Sequence, residues 1–159
     1  MEYEGACYHV INRGNYRRWV FETEGAKEAF EQCVAECATK AGWMVHAWVV
    51  MGNHFHLAVE TPQGNLGAGM QWLQTTYAAR FNRYRSEQGH LFGGRYKAIV
   101  VERGEALGRV CHYIDLNPGS DQEGQSLLLD LARRGDGVRG WPTETQHSHH
   151  ARRFERECI

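Results

Sequence analysis

Two histidines separated by a single residue, His54 and His56, lie in the stretch HFHLAVE (54–60). The alternation of polar and apolar residues in this stretch is typical of a β-strand, and residues i and i+2 of a strand project from the same face. Two imidazoles on one face can supply half of a metal site. A pair of surface or core histidines would produce the same pattern, so the pair alone leaves both interpretations open.

A tyrosine and an asparagine four residues apart, Tyr113 and Asn117, form a second candidate pair in HYIDLNP (112–118). On a helix they would lie one turn apart on the same face. A tyrosine oxygen is a potential nucleophile, although its ordinary pKa of about 10 makes it weak without a nearby cation or base. Asn117 could add an amide oxygen to a metal site. The structural alternative is a tyrosine that packs its ring and an asparagine that ends a helix before Pro118.

The elements that must position these residues follow from the periodicity of the chain. Thr23 is predicted to cap the first helix and Gly42 to end it, and 61–69 is predicted to be a loop because it is rich in glycine. The predicted strands are 7–13, 43–51, 54–60 and 95–102, and the predicted helices are 24–41, 70–85 and 105–117. This order predicts an α+β protein of the split βαβ type, with a four-stranded antiparallel sheet and helices on one face.

In such a fold the last helix can cross the sheet and face the hairpin of the second and third strands. A metal held by His54, His56 and Asn117 would then stand beside the hydroxyl of Tyr113. This arrangement suits phosphodiester transesterification, in which a cation polarises a phosphate oxygen and the tyrosine oxygen attacks phosphorus. On donor chemistry alone, two imidazoles favour manganese or another transition metal over magnesium.

Composition is that of an ordinary globular domain, with 159 residues, 42% hydrophobic and 23% charged residues. No apolar run approaches the roughly 20 residues of a membrane-spanning helix, and the N-terminus MEYEGACYHV lacks the basic flank of a secretory signal. The five cysteines are scattered without a CxxC pair: Cys7, Cys33, Cys37, Cys111 and Cys158. We therefore predict a cytoplasmic protein from a reducing compartment, with no membrane partner.

The net charge of −1 does not indicate a nucleic-acid partner, but basic residues are concentrated in 13–18 and 80–109. Such a distribution is compatible with phosphate contacts, and an ion-paired, solvated surface would explain it equally well. Aromatic residues interleave with cations in 90–97, as is common in proteins that bind single strands. The candidate DNA contacts are Asn12, Arg13, Arg17, Arg18, Arg83, Arg95 and Lys97.

Several blocks in a consistent order carry a family resemblance. They are YHVINRGNYRRWVF (8–21), AWVVMGNHFHLAVET (47–61), MQWLQTTYAARFNRY (70–84), GHLFGGRYKAIVVE (89–102) and HYIDLNP (112–118). With these blocks the chain resembles the single-tyrosine transposases of the HUH superfamily, especially the group similar to REP-associated tyrosine transposases. The resemblance covers roughly residues 7–118.

The resemblance implies a ferredoxin-like catalytic domain over residues 1–120, followed by a C-terminal extension, 121–159, that is partly helical or disordered. It implies that His54, His56 and Asn117 hold Mg²⁺ or Mn²⁺, and that Tyr113 cleaves single-stranded DNA through a 5′-phosphotyrosine intermediate. The implied partner is DNA with a hairpin, bound by a monomer or by a homodimer.

The chain departs from the family pattern at two places. Gly52 stands where a proline is usual, and a polar GSDQEGQ (119–125) replaces a basic, apolar stretch. Two alternatives remain open: a non-catalytic module that binds hairpin DNA or RNA, and a hydrolase in which water attacks and Tyr113 is structural. Tyr77, the competing tyrosine, is predicted to be a core residue. The histidines of the tail, at 147–150, could bind metal but more simply belong to a polar tail.

Overall fold

A computed structural model of the protein describes residues 2–117. Its elements are β1 (Ala6–Arg13), a short 3-10 turn (Asn15–Arg17), α1 (Glu24–Ala41), β2 (Met44–Met51), β3 (His54–Thr61), α2 (Leu66–Arg85), β4 (Lys97–Val101) and α3 (Glu105–Asp115). The kind and order of these elements are those predicted from the periodicity. The predicted C-terminal extension, 121–159, lies outside the described residues, and so do the tail histidines within it.

The four strands form one antiparallel sheet in the order β2-β3-β1-β4. The hairpin of β2 and β3 is therefore extended by β1, and β4 lies on the outer side of β1. This is the topology of the split βαβ arrangement, so the predicted fold class is confirmed.

The main core lies between the sheet and the helices α1 and α2. Because successive strand residues project to opposite faces, Tyr8, Phe55 and Leu57 enter this core while their neighbours face away from it. Tyr77 lies fully buried in the same core, and its hydroxyl donates to the carbonyl oxygens of Val20 and Ala26 at 3.0 and 3.2 Å. The prediction that Tyr77 is a core residue is confirmed.

Helix α3 packs on the opposite face of the sheet. Ile114, which is fully buried, contacts a small apolar patch formed by Ala47, Val49 and Ala58. The patch belongs to β2 and β3, so α3 crosses the hairpin that carries the two histidines. The placement of the last helix that the sequence suggested is confirmed.

The ends of α1 follow the predicted signals. The hydroxyl oxygen of Thr23 accepts a hydrogen bond from the amide of Ala26 at 3.2 Å, and Gly42 adopts the left-handed conformation at φ 66°. A side-chain acceptor at the N-cap and a glycine after the last turn are the usual helix boundaries.

Helix α2 begins at Leu66, so the predicted loop through Gly69 is wrong by one helical turn. A Cβ on Gly69 would lie 2.0 Å from a ring atom of Trp43. The indole of Trp43 lies against this first turn and donates to the side-chain oxygen of Asn65 at 2.9 Å. The glycine that suggested a loop is thus a close-packing residue inside a helix.

Candidate active site

The two histidines of the His-x-His pair lie on the face of β3 that α3 covers. Phe55 between them is fully buried in the main core, as strand alternation requires. The ring centroids of His54 and His56 are 5.2 Å apart. The prediction that both imidazoles project from the same face is confirmed.

A third histidine, His9 of β1, completes a network that the sequence analysis missed. Its Nε2 lies 3.0 Å from Nδ1 of His56, and the two rings stack with centroids 5.2 Å apart. His9 lies two residues before Ile11, on the same face of β1, and Ile11 pairs with His56 in the antiparallel register. The sequence alone does not show that His9 lies on the same sheet face as His56, because no local pattern gives the register between β1 and β3.

The hydrogen bonds of the two motif histidines leave the same atom available on each ring. Nδ1 of His54 lies 2.7 Å from the side-chain oxygen of Asn53, which can only accept, so this nitrogen carries the proton. Nδ1 of His56 is occupied by His9. In each ring Nε2 is the nitrogen left for a ligand. Metal-binding histidines commonly have this arrangement, in which a hydrogen bond at one ring nitrogen orients the other nitrogen towards the metal.

Burial keeps these imidazoles neutral. It lowers the pKa of His56 to about 4, with further contributions from His9, His54 and the cation of Arg13. Burial followed by the charge of Arg13 also lowers the pKa of His54. Neutral imidazole is the form that coordinates a metal, so the donor set of this pair fits a divalent ion at neutral pH.

Tyr113 lies beside the histidines. Its ring centroid is 6.0 Å from that of His56 and 6.2 Å from that of His9, and the residue is 54% exposed. The adjacent Ile114 anchors α3 to the sheet, and this anchoring holds the tyrosine ring over the histidine network. The site therefore combines a solvent-accessible phenol with neutral imidazoles.

Asn117 lies just beyond α3, which ends at Asp115 and not at 117 as predicted. Its amide nitrogen donates to the carbonyl oxygen of Tyr113 at 3.2 Å. This bond ties the residue to the end of α3, the helix that carries Tyr113, and a ligand role would use the amide oxygen. Its assignment as the third metal ligand stays a prediction.

The predicted DNA contacts divide into buried and exposed residues. Asn12 is only 7% exposed; its amide nitrogen donates to the carbonyl of Gly94 at 3.3 Å, and its oxygen accepts from the amide of Arg13 at 2.7 Å. Asn12 therefore connects β1 to the loop before β4 within the protein. The side chain of Arg18 forms an ion pair with Glu87.

Besides Arg18, five of the predicted DNA contacts are exposed cations, and one of them, Arg13, pairs with His54 across β1 and β3. Arg13, Arg17, Arg83 and Arg95 lie at the surface. Lys97 is also exposed, and its register opposite Ile11 places it on the same sheet face as His56. Other arginines of the basic stretch are paired with carboxylates, namely Arg80 with Glu36, Arg103 with Glu60 and Arg109 with Glu105.

Gly52 in the turn before His54 has a specific neighbour. A Cβ at this position would lie 2.2 Å from an atom of the Trp19 ring. The indole of Trp19 thus covers the turn where the family usually has proline, and it remains largely exposed, as does Tyr16. The indole of Trp19 therefore occupies the space that a side chain at position 52 would fill.

A second cluster of metal-ligating side chains lies on the same sheet face. The ligand atoms of Cys7, His46 and Glu60 are all within 4.8 Å of one another. The sequence did not predict this cluster, because its members come from three different strands.

Solved structures share this fold. A REP-associated tyrosine transposase bound to a REP hairpin aligns with a TM-score of 0.66 at 14% identity, covering 94% of this chain and 93% of that one. A crystal structure of a candidate transposase from Deinococcus radiodurans R1 aligns with a TM-score of 0.53 at 21% identity, covering 74% and 95% of the two chains. The described fold is thus one that tyrosine transposases adopt.

The family model described as "Transposase IS200 like" matches residues 2–117. The chain therefore belongs to the IS200-like transposase family. No curated protein matches it. Among the helices of residues 2–117, none is long and apolar enough to cross a membrane.

Proposed function

We propose that the protein is a tyrosine-dependent DNA transesterase that cleaves and rejoins single-stranded DNA next to a hairpin. The observation that carries this proposal is the position of Tyr113, whose ring lies 6.0 Å from that of His56 in the network of neutral histidines. A solvent-accessible phenol beside a pair of potential metal ligands is the combination that phosphoryl transfer to tyrosine requires.

A divalent cation, Mg²⁺ or Mn²⁺, completes the site. Nε2 of His54, Nε2 of His56 and the amide oxygen of Asn117 would hold it. When bound, it supplies positive charge that polarises a non-bridging oxygen of the scissile phosphate. The hydrogen bonds of Asn53 and His9 orient the two imidazoles for this task.

The chemical step exchanges one phosphate ester for another. The oxygen of Tyr113 forms a bond to phosphorus while the bond from phosphorus to the 3′-oxygen breaks, and the proton lost by tyrosine is balanced by the proton gained by the 3′-hydroxyl. The product is a 5′-phosphotyrosine and a free 3′-hydroxyl. Because the ester bond is conserved, another 3′-hydroxyl can reverse the step and join strands without an added energy source.

Hairpin DNA is the proposed partner. The REP-associated relative was solved with a REP hairpin, and this chain offers exposed cations at Arg13, Arg17, Arg95 and Lys97 for phosphate contacts. The exposed rings of Tyr16 and Trp19 lie on either side of Arg17 and Arg18 in the sequence and could stack on unpaired bases.

The test is a denaturing gel of the protein incubated with single-stranded hairpin oligonucleotides from the flanks of its own gene, labelled at the 5′ or the 3′ end. We expect a protein–DNA adduct that carries the 3′-side fragment, requires Mn²⁺ or Mg²⁺ and disappears with protease. Tyr113→Phe should lose the adduct completely and retain hairpin binding. Tyr84→Phe, which alters another exposed tyrosine, should form the adduct normally.

The other outcomes separate the rival functions. Cleavage to free 5′-phosphate ends without an adduct would mean that water attacks and that the tyrosine is structural. Hairpins that bind tightly but remain intact, with or without metal, would mean a non-catalytic binding module. An adduct that persists in Tyr113→Phe would refute the assignment of the nucleophile.

A further inference from the structure

The cluster of Cys7, His46 and Glu60 lies at the opposite end of the sheet from the proposed active site. Glu60 follows His56 by four residues on β3, and at about 3.3 Å per residue the two are about 13 Å apart. The same face of the same strand thus carries two separate groups of potential ligands. The second group is independent of the proposed function.

The three side chains converge on one carboxylate oxygen. Oε2 of Glu60 lies 3.3 Å from Nε2 of His46 and 3.9 Å from the thiol sulfur of Cys7. Glu60 is only 6% exposed and Cys7 is buried. A carboxylate and a thiol are therefore held away from bulk water beside a partly exposed imidazole, and burying such groups costs free energy unless partners compensate them.

The other oxygen of the carboxylate faces a different partner. Nη2 of Arg103 pairs with Oε1 of Glu60 and also donates to the carbonyl of Gly5 at 3.2 Å. The two oxygens thus have different roles, one towards the exposed arginine and one towards the cysteine and histidine. An arginine on the outer oxygen of a ligating carboxylate is an ordinary outer partner of a metal site.

A backbone irregularity lies at the histidine. The register between β2 and β3 shifts between Val45 and Ala47, which leaves His46 as the extra residue of a β-bulge. Bulges redirect side chains and are found next to functional sites. Val45 faces the main core, so alternation already directs His46 to the opposite face, where Glu60 lies, and the bulge allows the next residue, Ala47, to pack on that same face opposite Ala58.

We propose that Cys7, His46 and Glu60 bind a zinc-like transition-metal ion. Thiolate, imidazole and carboxylate are ligands that Zn²⁺ uses, and three protein ligands leave the fourth position of a tetrahedral site for water. The ligands come from β1, β2 and β3, so the ion would tie these three strands together.

The test is a titration of the full chain with Co²⁺, whose visible d–d bands report tetrahedral geometry and whose near-ultraviolet charge-transfer band reports thiolate ligands. The chain carries His54→Ala and His56→Ala, so that the proposed active site does not compete for the ion. We expect one equivalent of Co²⁺ to bind with both sets of bands, and Zn²⁺ to displace it. Absence of thiolate charge transfer in this protein would overturn the proposal.

Single substitutions in that background assign the ligands. Cys7→Ser should remove or strongly weaken the charge-transfer band. His46→Gln, at a partly exposed position, should weaken the affinity for Co²⁺ by more than 10–100-fold, which is the loss typical when only a hydrogen-bond partner of a ligand is removed.

A buried thiol elsewhere provides the control. Cys37 donates to the carbonyl of Gly69 at 3.3 Å in the main core, and serine can make the same bond, so Cys37→Ser should bind Co²⁺ as the parent does. Circular dichroism of each variant shows that it is folded. Unchanged binding in both Cys7→Ser and His46→Gln would leave the cluster as a buried ion pair of Glu60 with Arg103 and would refute the metal site.

Discussion

At the scale of the residue, the most informative side chain is His9, which turns a two-histidine motif into a three-histidine network. With a metal on Nε2 of His56, the proton of that ring must lie on Nδ1 and be donated to Nε2 of His9, 3.0 Å away. Such an outer hydrogen bond fixes both the tautomer and the ring orientation of a ligand. His9 is therefore a positioning residue of the proposed site.

This role predicts the effect of His9→Phe, which keeps a planar ring against His56 and removes the hydrogen bond. We expect the affinity for Mn²⁺, measured by calorimetry without DNA, to fall about 10–100-fold. His9→Asn, which restores an acceptor, should recover part of the loss. An affinity unchanged in His9→Phe would show that the contact with His56 is packing alone.

The buried histidines also predict a pH dependence of stability. His56 is 7% exposed, and its pKa is lowered from 6.5 to about 4, so the unfolded chain takes up this proton at a higher pH than the folded chain. Stability is therefore lost as the pH falls from about 6.5 towards about 4, by at most roughly 3 kcal/mol for this group.

Denaturant unfolding in the presence of EDTA measures this effect. Between pH 7 and pH 4, we expect the unfolding free energy of His56→Gln to decline less steeply than that of the unaltered protein. Burial also lowers the pKa of His9. Because removal of His56 changes the surroundings of His9, the difference between the two pH profiles includes a contribution from His9. Parallel pH profiles for the two proteins would contradict the neutral, buried state of this imidazole.

At the scale of the element, the first turn of α2 shows how one contact can reverse a local signal. Glycine weakens a helix by about 1 kcal/mol relative to alanine, and residues 61–69 therefore predict a loop. The ring of Trp43 occupies the space that a Cβ at Gly69 would need. The indole belongs to the main core, as Met70 does, and it donates a hydrogen bond to Asn65. Tertiary contact outweighs propensity here.

Substitution of two helical glycines tests this explanation. Gly69→Ala should destabilise the protein by about 1–3 kcal/mol, because the new methyl group must displace a buried indole. Gly25→Ala in the first turn of α1, where no atom lies within 4 Å of the new Cβ, should be neutral or stabilising by up to about 1 kcal/mol. Equal thermal shifts for the two variants would contradict the packing role of Gly69.

At the scale of the whole molecule, the two faces of the sheet carry different kinds of side chain. The face under α1 and α2 carries the large aromatic core, whereas the face under α3 carries the histidine network, the small apolar patch and the Cys7 cluster. Polar groups can converge on the second face because the first already supplies most of the buried apolar surface. One α-helix then suffices to bring the tyrosine to the site.

The distribution of charge predicts how DNA binding depends on salt. The net charge is −1, so affinity must come from local cations and not from the field of the whole protein. Arg17→Gln and Arg95→Gln should each reduce the slope of log K against log salt by about 0.7–0.9, the contribution of one phosphate contact. Fluorescence anisotropy with a labelled hairpin measures the slope.

A matched charge change on a distant surface provides the control. The ammonium of Lys40 at the end of α1 lies 4.3 Å from the ring centroid of Trp72, and Lys40→Gln should leave the slope unchanged. If Arg17→Gln and Arg95→Gln also leave it unchanged, these cations do not contact phosphates, and the DNA surface must lie elsewhere on the protein.

The sequence by itself determined the elements, their order and the facing of the motif residues. The boundaries of α1 follow from the cap at Thr23 and the glycine at position 42, and the shared face of His54 and His56 follows from the two-residue period of a strand. The core position of Tyr77 follows from helical spacing. These properties depend on residues only a few positions apart, and local geometry is sufficient for them.

Tertiary structure alone decided which distant residues meet. His9 reaches His56 across 47 positions, Cys7 reaches Glu60 across 53, and Asn12 turns inwards to Gly94 across 82. Each meeting depends on strand register or on a bulge, and register is set by the packing of the whole sheet and its helices. A local pattern carries no information about that register, which is why the histidine network and the Cys7 cluster became visible only in the folded protein.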